Sequence, residues 1–390
     1  MKKTFLFCFA LIFCVLQTNA QTSNKTFHVA IFAPLYLDSA FDGSFYKYNK
    51  SFPKFSSAGL DFVHGAQVAL DSFNLGGTYL TAHIFDCKAE KENIPWLISN
   101  HKLDSIDLII GSVKDFELLQ LANFAKKKNV PFISATTPND AGITSNPFFV
   151  IVSSTLRAHC EVLHSYLIQN HGTDKIYLCR KKGAQEDKIA DYFKNVNEPD
   201  GKPILDLEVV NFESDFSGLV NKLDSTKKSI IIGGSLNDAF AEGLTKAAYE
   251  LKSTYPLEVI GMPNWYTFSS LKKSNLKDLE ILYTTPYYNA RVDKYSKKIQ
   301  FLYGKKFKGG TATEMSYKGF ESVFLFAKLI TKYPNDFTSH LNEISKQAFG
   351  EYNFMPVYVK KDNPVPDYFE NKHLYFMKIL NGKVVRAWDK

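Results

Sequence analysis

Residues Asp107–Pro138 read DLIIGSVKDFELLQLANFAKKKNVPFISATTP, and this stretch decides the fold. Leu108–Ile110 is a short apolar strand, and Gly111-Ser112 is a turn. An amphipathic helix follows, then a second apolar strand, Pro131–Ile133, which ends in the small or hydroxylated residues Ser134, Ala135, Thr136 and Thr137. Two strands with a helix between them form a βαβ unit. Their polar carboxyl ends lie where open α/β sheets bind ligands. The stretch therefore reads as half of a small-molecule cleft.

Upstream of it, Phe27–Pro34 is apolar throughout, as expected of a strand buried on both faces of a parallel sheet. Residues 35–60 are rich in aromatic, serine and glycine residues and show no period. They read either as a lid at the cleft mouth or as a surface insertion. The spacing predicts helices over Asp61–Phe73 and Asn93–His101, with a strand at Tyr79–Asp86 between them. This alternation is that of a doubly wound sheet. After a strand at Asn146–Ser154 the alternation restarts. Strands are expected at Lys175–Cys179, Leu207–Phe212, Ser229–Gly233, Leu257–Gly261 and Leu279–Thr285, and helices at Arg157–Gln169, Asp187–Lys194, Phe216–Leu223 and Ala239–Lys252. Helices at Asp293–Tyr303, Tyr317–Thr331 and Phe337–Gln347 come next. The tail turns to β patterning at Met355–Lys360 and Leu374–Ile379. Asn381-Gly382 then marks a hairpin before Val384–Trp388.

Residues 1–20 read as a signal peptide. Lys2 and Lys3 precede a twelve-residue apolar run, Phe5–Leu16, and Thr18-Asn19-Ala20 sets a cut before Gln21. The run is shorter than the roughly twenty residues of a membrane-spanning helix, and the bulky Phe13 before Cys14 argues against lipid attachment. The expected product is exported to the periplasm with no transmembrane span. Without Lys2 and Lys3 the chain holds 45 basic and 40 acidic residues. Its lysine runs are short and scattered, unlike the concentrated basic face of a nucleic-acid binder. Cys87, Cys160 and Cys179 remain after the leader, and this odd number permits one disulfide at most. No CxxC or HExxH spacing is present, so neither a metal nor a cofactor is expected. GxSxG and the phosphate-binding GxxxxGK[ST] are also absent. The acidic pairs Glu90/Glu92 and Glu186/Asp187 have no partner at a strand end, which argues against an enzyme.

Two α/β lobes behind a signal peptide resemble the type I periplasmic binding proteins, above all their branched-chain amino-acid binding branch. FHVAIFAPL is similar to that family's opening strand, DFVHGAQVALDSFN to its first helix and Asp107–Pro138 to its most recognisable segment. SIIIGGSLNDAFAEGLTKAAYE and TEMSYKGFESVFLFAKLI resemble a second-lobe strand-helix and a late helix. The chain also resembles a divergent envelope branch of the same fold, some of whose members lack an obvious transporter partner.

The resemblance implies two Rossmann-like lobes joined by crossing strands, with residues 27–153 and 286–350 in the first and 154–285 and 351–390 in the second. It implies a monomer or weak dimer that closes over a small polar ligand and presents it to a membrane permease. The alternative is an envelope scaffold regulating a cell-wall enzyme. In the family a serine and backbone N–H groups at a helix start grip the ligand carboxylate, which implies that role for Ser112. Ser112 could equally cap the helix. Ser134, Ala135, Thr136 and Thr137 match the next strand end. That loop is about one residue shorter here, so the second grip is open between Thr136 and Thr137. In the second lobe Ser235, Asn264 and Trp265 face the cleft by the same correspondence. The family's amino-acid binders place an acid near Met262–Tyr266, and this chain has none there. An ammonium without a counter-charge is costly to bury. Trp265 and Tyr266 either stack on a flat or sugar-like ligand or pack in the core.

Overall fold

The computed structural model describes residues 26–49, 52–74, 80–273, 276–344, 350–359 and 363–388. The expected signal peptide lies outside them. The first lobe begins with β1 (Phe27–Ala33), α1 (Lys54–Asn74), β2 (Leu80–Asp86) and α2 (Ile94–Ser99). β3 (Leu108–Gly111), α3 (Asp115–Lys128), β4 (Phe132–Ser134) and β5 (Phe149–Ile151) complete its opening run. The second lobe comprises α4 (Leu156–His171), β6 (Lys175–Arg180), α5 (Ala184–Asn197), β7 (Leu207–Asn211) and β8 (Ser229–Gly233). It continues through α6 (Asp238–Leu251), β9 (Leu257–Ile260) and β10 (Ile281–Thr285). Then come α7 (Lys294–Lys306), α8 (Glu314–Lys332), β11 (Phe354–Val357), β12 (Tyr368–Asn371), β13 (Tyr375–Leu380) and β14 (Lys383–Arg386).

The strands form two seven-stranded sheets, ordered β11-β12-β5-β4-β3-β1-β2 and β14-β13-β10-β9-β8-β6-β7. In each, the first strand of the lobe lies between the second and third, and the parallel strands that follow extend one side of the sheet. The strand order reverses beside β1 and β6, so both sheets carry a switch point at which an open α/β sheet binds ligands. β3 and β8 are buried along their whole length. That is why their sequences, LIIG and SIIIG, are continuous apolar runs.

α8 returns the chain to the first lobe and packs along α1. A Cβ on Gly65 would lie 1.8 Å from the Ser316 carbonyl oxygen, and one on Gly319 would lie 2.0 Å from that of Phe62. The two helices touch backbone to backbone. Thr313 starts α8 with a capping box: its hydroxyl accepts from Ser316 N–H while Thr313 N–H donates to the Ser316 hydroxyl.

Three expectations need correction. First, β11 and β12 pair with the first sheet, β12 lying parallel to β5. Strands β11 and β12 therefore belong to the first lobe instead of the second, and only β13 and β14 join the second sheet. Strand β12 was not foreseen because YFEN carries Glu370 and Asn371, which are fully buried through bonds to residues such as Thr155 and Ser154 far away in sequence. Second, α1 starts at Lys54, so the segment before it is shorter than expected. It folds into one helical turn, Leu37–Ala40, and a two-stranded hairpin, Phe41–Asp42 with Phe45–Tyr46. The Asp86 carboxylate holds it by accepting from Leu35 N–H, Leu37 N–H and Lys88 N–H. Third, the helices expected after Phe216 and Phe337 are 3₁₀ turns over the described residues, Ser217–Lys222 and Thr338–Ile344.

Cys87, Cys160 and Cys179 are all buried and free. Burial pushes the thiols of Cys87 and Cys179 up to about 12, and that of Cys160 is raised as well. No helix among the described residues is long and apolar enough to cross a membrane.

Candidate functional site

A cleft of about 360 Å³ opens at the carboxyl ends of both sheets. The first lobe contributes Thr136 and Pro138, and the second contributes Gln185, Leu236, Pro263, Asn264, Tyr266 and Thr267. Its floor consists of the passages between lobes: Ser153, Ser154, Leu156 and His159 on one side, Thr285, Pro286 and Tyr287 on the other. Glu314 and Lys318, one turn apart on α8, complete the wall.

The eight sequence candidates divide sharply. Thr136 and Asn264 border this cleft, and Ala135 lines a small cavity behind it. Ser112 does not border the cleft. Its N–H donates to Phe32 O, and its hydroxyl lies 3.1 Å from that of Thr136. It does not cap α3 either, because the residue preceding that helix is Lys114. Asp115 and Glu117 already occupy the first turn of α3, where an anion would be held. Ser134 is fully buried, with its hydroxyl 3.5 Å from Thr137 O. The Thr137 hydroxyl donates to Val113 O. Ser235 is fully buried and donates to Glu186 at 2.6 Å.

Trp265 is likewise a core residue instead of a stacking platform. Its indole N–H donates to Ser235 O at 2.8 Å, and its ring fills the space that side chains at Gly233 and Gly261 would occupy. Tyr266 takes the cleft-facing place, backed by the parallel ring of Tyr283 at 5.7 Å.

Sequence reasoning missed His159, Glu314 and Lys318. His159 is 2% exposed, with Nδ1 2.7 Å from the Thr284 hydroxyl. Burial, reinforced by the Lys372 ammonium, pushes its imidazole down to about 3, so the ring is neutral across the physiological range. Glu314 and Lys318 form an ion pair of 2.7 Å. The Lys318 ammonium also sits over the Tyr287 ring, 4.8 Å from its centre. Their i,i+4 spacing was the one available signal, and it is common on solvated helix faces.

Behind the cleft a void of about 20 Å³ shares Ser153, Pro286, Tyr287 and Lys318 with it and reaches Glu321. Glu321 is 1% exposed. Burial pushes its carboxyl up to about 7, against the opposing effect of bonds from Gly350 N–H and the Tyr352 hydroxyl.

Polar bonds stitch the lobe passages together. The Ser154 hydroxyl donates to Asn371 O at 2.5 Å, and Thr155 N–H donates to Glu370 at 2.7 Å. Asn371 in turn accepts from Asn353 N–H and donates to Val152 O. Lys372 bridges Glu370 and Glu161.

Two α/β lobes with matching strand order, three passages between them and a cleft at the carboxyl ends of both sheets define a two-lobed binding protein. Residues 54–345 match the Periplasmic binding protein family, and the chain belongs to it. Among solved structures, a branched-chain amino acid ABC transporter protein of Rhodospirillum rubrum is similar, with a TM-score of 0.66 and 14% identity. The match covers 93% of this chain and all of that one. A substrate-binding protein of Desulfitobacterium hafniense in complex with Leu gives a TM-score of 0.57 at 13% identity, covering 93% and 100%. The leucine-binding protein of Thermotoga maritima gives 0.52 at 15%, covering 93% and 98%. At these identities the likeness is one of fold. No match was found among curated proteins.

Proposed function

We propose that this chain is an exported solute-binding protein whose two lobes close over a small polar ligand, which a membrane transporter then takes. The observation that carries this reading is the cleft of about 360 Å³, walled by both lobes and floored by the passages between them. A rotation about those passages changes every cross-cleft distance at once, which is the geometry of hinge closure. Thr136 of the first lobe and Asn264 and Tyr266 of the second are the residues through which a ligand would draw the lobes together. Membership of a binding-protein family supports the reading.

Two measurements on the mature chain test it. A screen of amino acids, short peptides, muropeptides and neutral ring compounds should raise the melting temperature with at least one class, because a ligand that binds only the folded state stabilises it by mass action. The same ligand should lower the radius of gyration in solution scattering. Stabilisation without compaction would refute closure, and no stabilisation by any class would refute the binding role.

A further inference from the structure

The charged groups bordering the cleft, among the described residues, are Glu314 and Lys318, and these already neutralise each other at 2.7 Å. A free amino acid would need a carboxylate for its ammonium and a cation for its carboxylate. Both would have to be taken from this pair.

The uncharged polar groups offer a more specific site. The Thr284 hydroxyl is fully buried, and its one hydrogen-bond partner among the described residues is His159 Nδ1. A buried hydroxyl hydrogen requires an acceptor, so the hydroxyl donates to Nδ1 and the ring proton sits on Nε2. His159 borders the cleft and is otherwise buried, so the group it offers there is an uncharged N–H donor. Also on the cleft wall, Asn264 Nδ2 donates to Leu236 O at 2.9 Å, which fixes the orientation of the amide. Asn264 Oδ1 is left buried at the cleft wall with no hydrogen-bond partner. An unpaired buried acceptor is unusual enough to need an explanation. Pro138, Pro263, Pro286 and the Tyr266 ring give the cleft flat apolar faces between its polar side chains. A volume of about 360 Å³ lies near the low end for small-molecule pockets, which suits one or two rings better than an extended chain.

We propose that the cleft selects an uncharged ring compound that offers a carbonyl to His159 Nε2–H and an N–H or O–H to Asn264 Oδ1, in place of a free amino acid. This rests on the binding function proposed above. Nucleosides, N-acetylated sugars and aromatic amides share this chemistry.

Titration calorimetry on the mature chain with uridine, N-acetylglucosamine and nicotinamide tells these sources apart. Leucine, glutamate and arginine serve as charged comparisons. At least one neutral probe should bind, and the charged set should not. His159→Phe should weaken that probe by about tenfold, as expected for one lost hydrogen bond in a closed site. His159→Gln, which restores an N–H donor, should recover most of the loss. Circular dichroism and unliganded melting establish that each variant folds. Binding of a charged amino acid with no neutral probe bound would overturn the proposal while leaving the binding function intact. If none of the six compounds binds, the proposal falls, and the wider screen for melting shifts decides the binding function by itself.

Discussion

Glu321 is a carboxyl held where ionisation is unfavourable. Its folded pKa of about 7 lies above the ordinary value of 4.5 because burial opposes the charge more strongly than Gly350 and Tyr352 support it. Below about pH 4.5 the carboxyl is protonated in both folded and unfolded chains and contributes no difference. Between about 4.5 and 7 the unfolded chain ionises first, so stability falls as pH rises, and above about 7 the loss is complete. The full effect is on the order of 3 kcal/mol. Glu321→Gln should therefore be more stable than the native chain at pH 8 and nearly equal to it at pH 4. Urea denaturation at both pH values checks this, and a difference independent of pH would contradict it. Single residues were also where the sequence was hardest to read. Asn264 and Trp265 are neighbours at one strand end, yet only Asn264 borders the cleft. The 3₁₀ turn Trp265–Thr267 sends the indole into the core, and nothing in a one-residue step of sequence reveals that rotation. His159 was invisible for a related reason. A histidine inside a helix acquires its role from what the fold brings against it, here Thr284 of the same lobe, 125 positions away.

At the scale of elements, the α1–α8 contact admits no side chain at Gly65 or Gly319, because the opposing atoms are backbone and cannot rotate aside. Gly65→Ala should cost about 3 kcal/mol, toward the upper end for overpacking. Gly304→Ala in α7 is the control: its Cβ would meet nothing closer than 3.6 Å. There the better helix former should stabilise by about 0.5–1 kcal/mol. Paired urea midpoints would read both, and equal shifts would disprove the close-contact argument. Elements were the most legible level. The central parallel strands β3 and β8 announced themselves as unbroken apolar runs, and Asn381-Gly382 does form the β13–β14 turn, both residues with positive φ. The miss at β12 has a physical source. Its Glu370 and Asn371 look like loop residues until the partners Thr155, Ser154 and Lys372, some two hundred positions upstream or immediately adjacent, are brought against them.

For the whole molecule, the restart of β-α alternation was enough to reveal two lobes, whereas the assignment of the tail depended on strand pairing that no local pattern encodes. The chain crosses between lobes three times, after β5, after β10 and after β12. Each lobe nonetheless keeps its own apolar interior. Cys87 lies in that of the first, and Cys160 and Cys179 lie in that of the second. With no disulfide among these thiols, and all of them too shielded to react while folded, the molecule contains two built-in clocks. In a chain beginning at Gln21, which lacks Cys8 and Cys14, Cys87→Ser exposed to a thiol reagent would register only the loosening of the second lobe, and Cys160→Ser, Cys179→Ser only that of the first. Equal modification rates in the two chains would mean that the lobes come apart together. Unequal rates would mean that one lobe survives the collapse of the other, so that the hinge joins two independently failing halves.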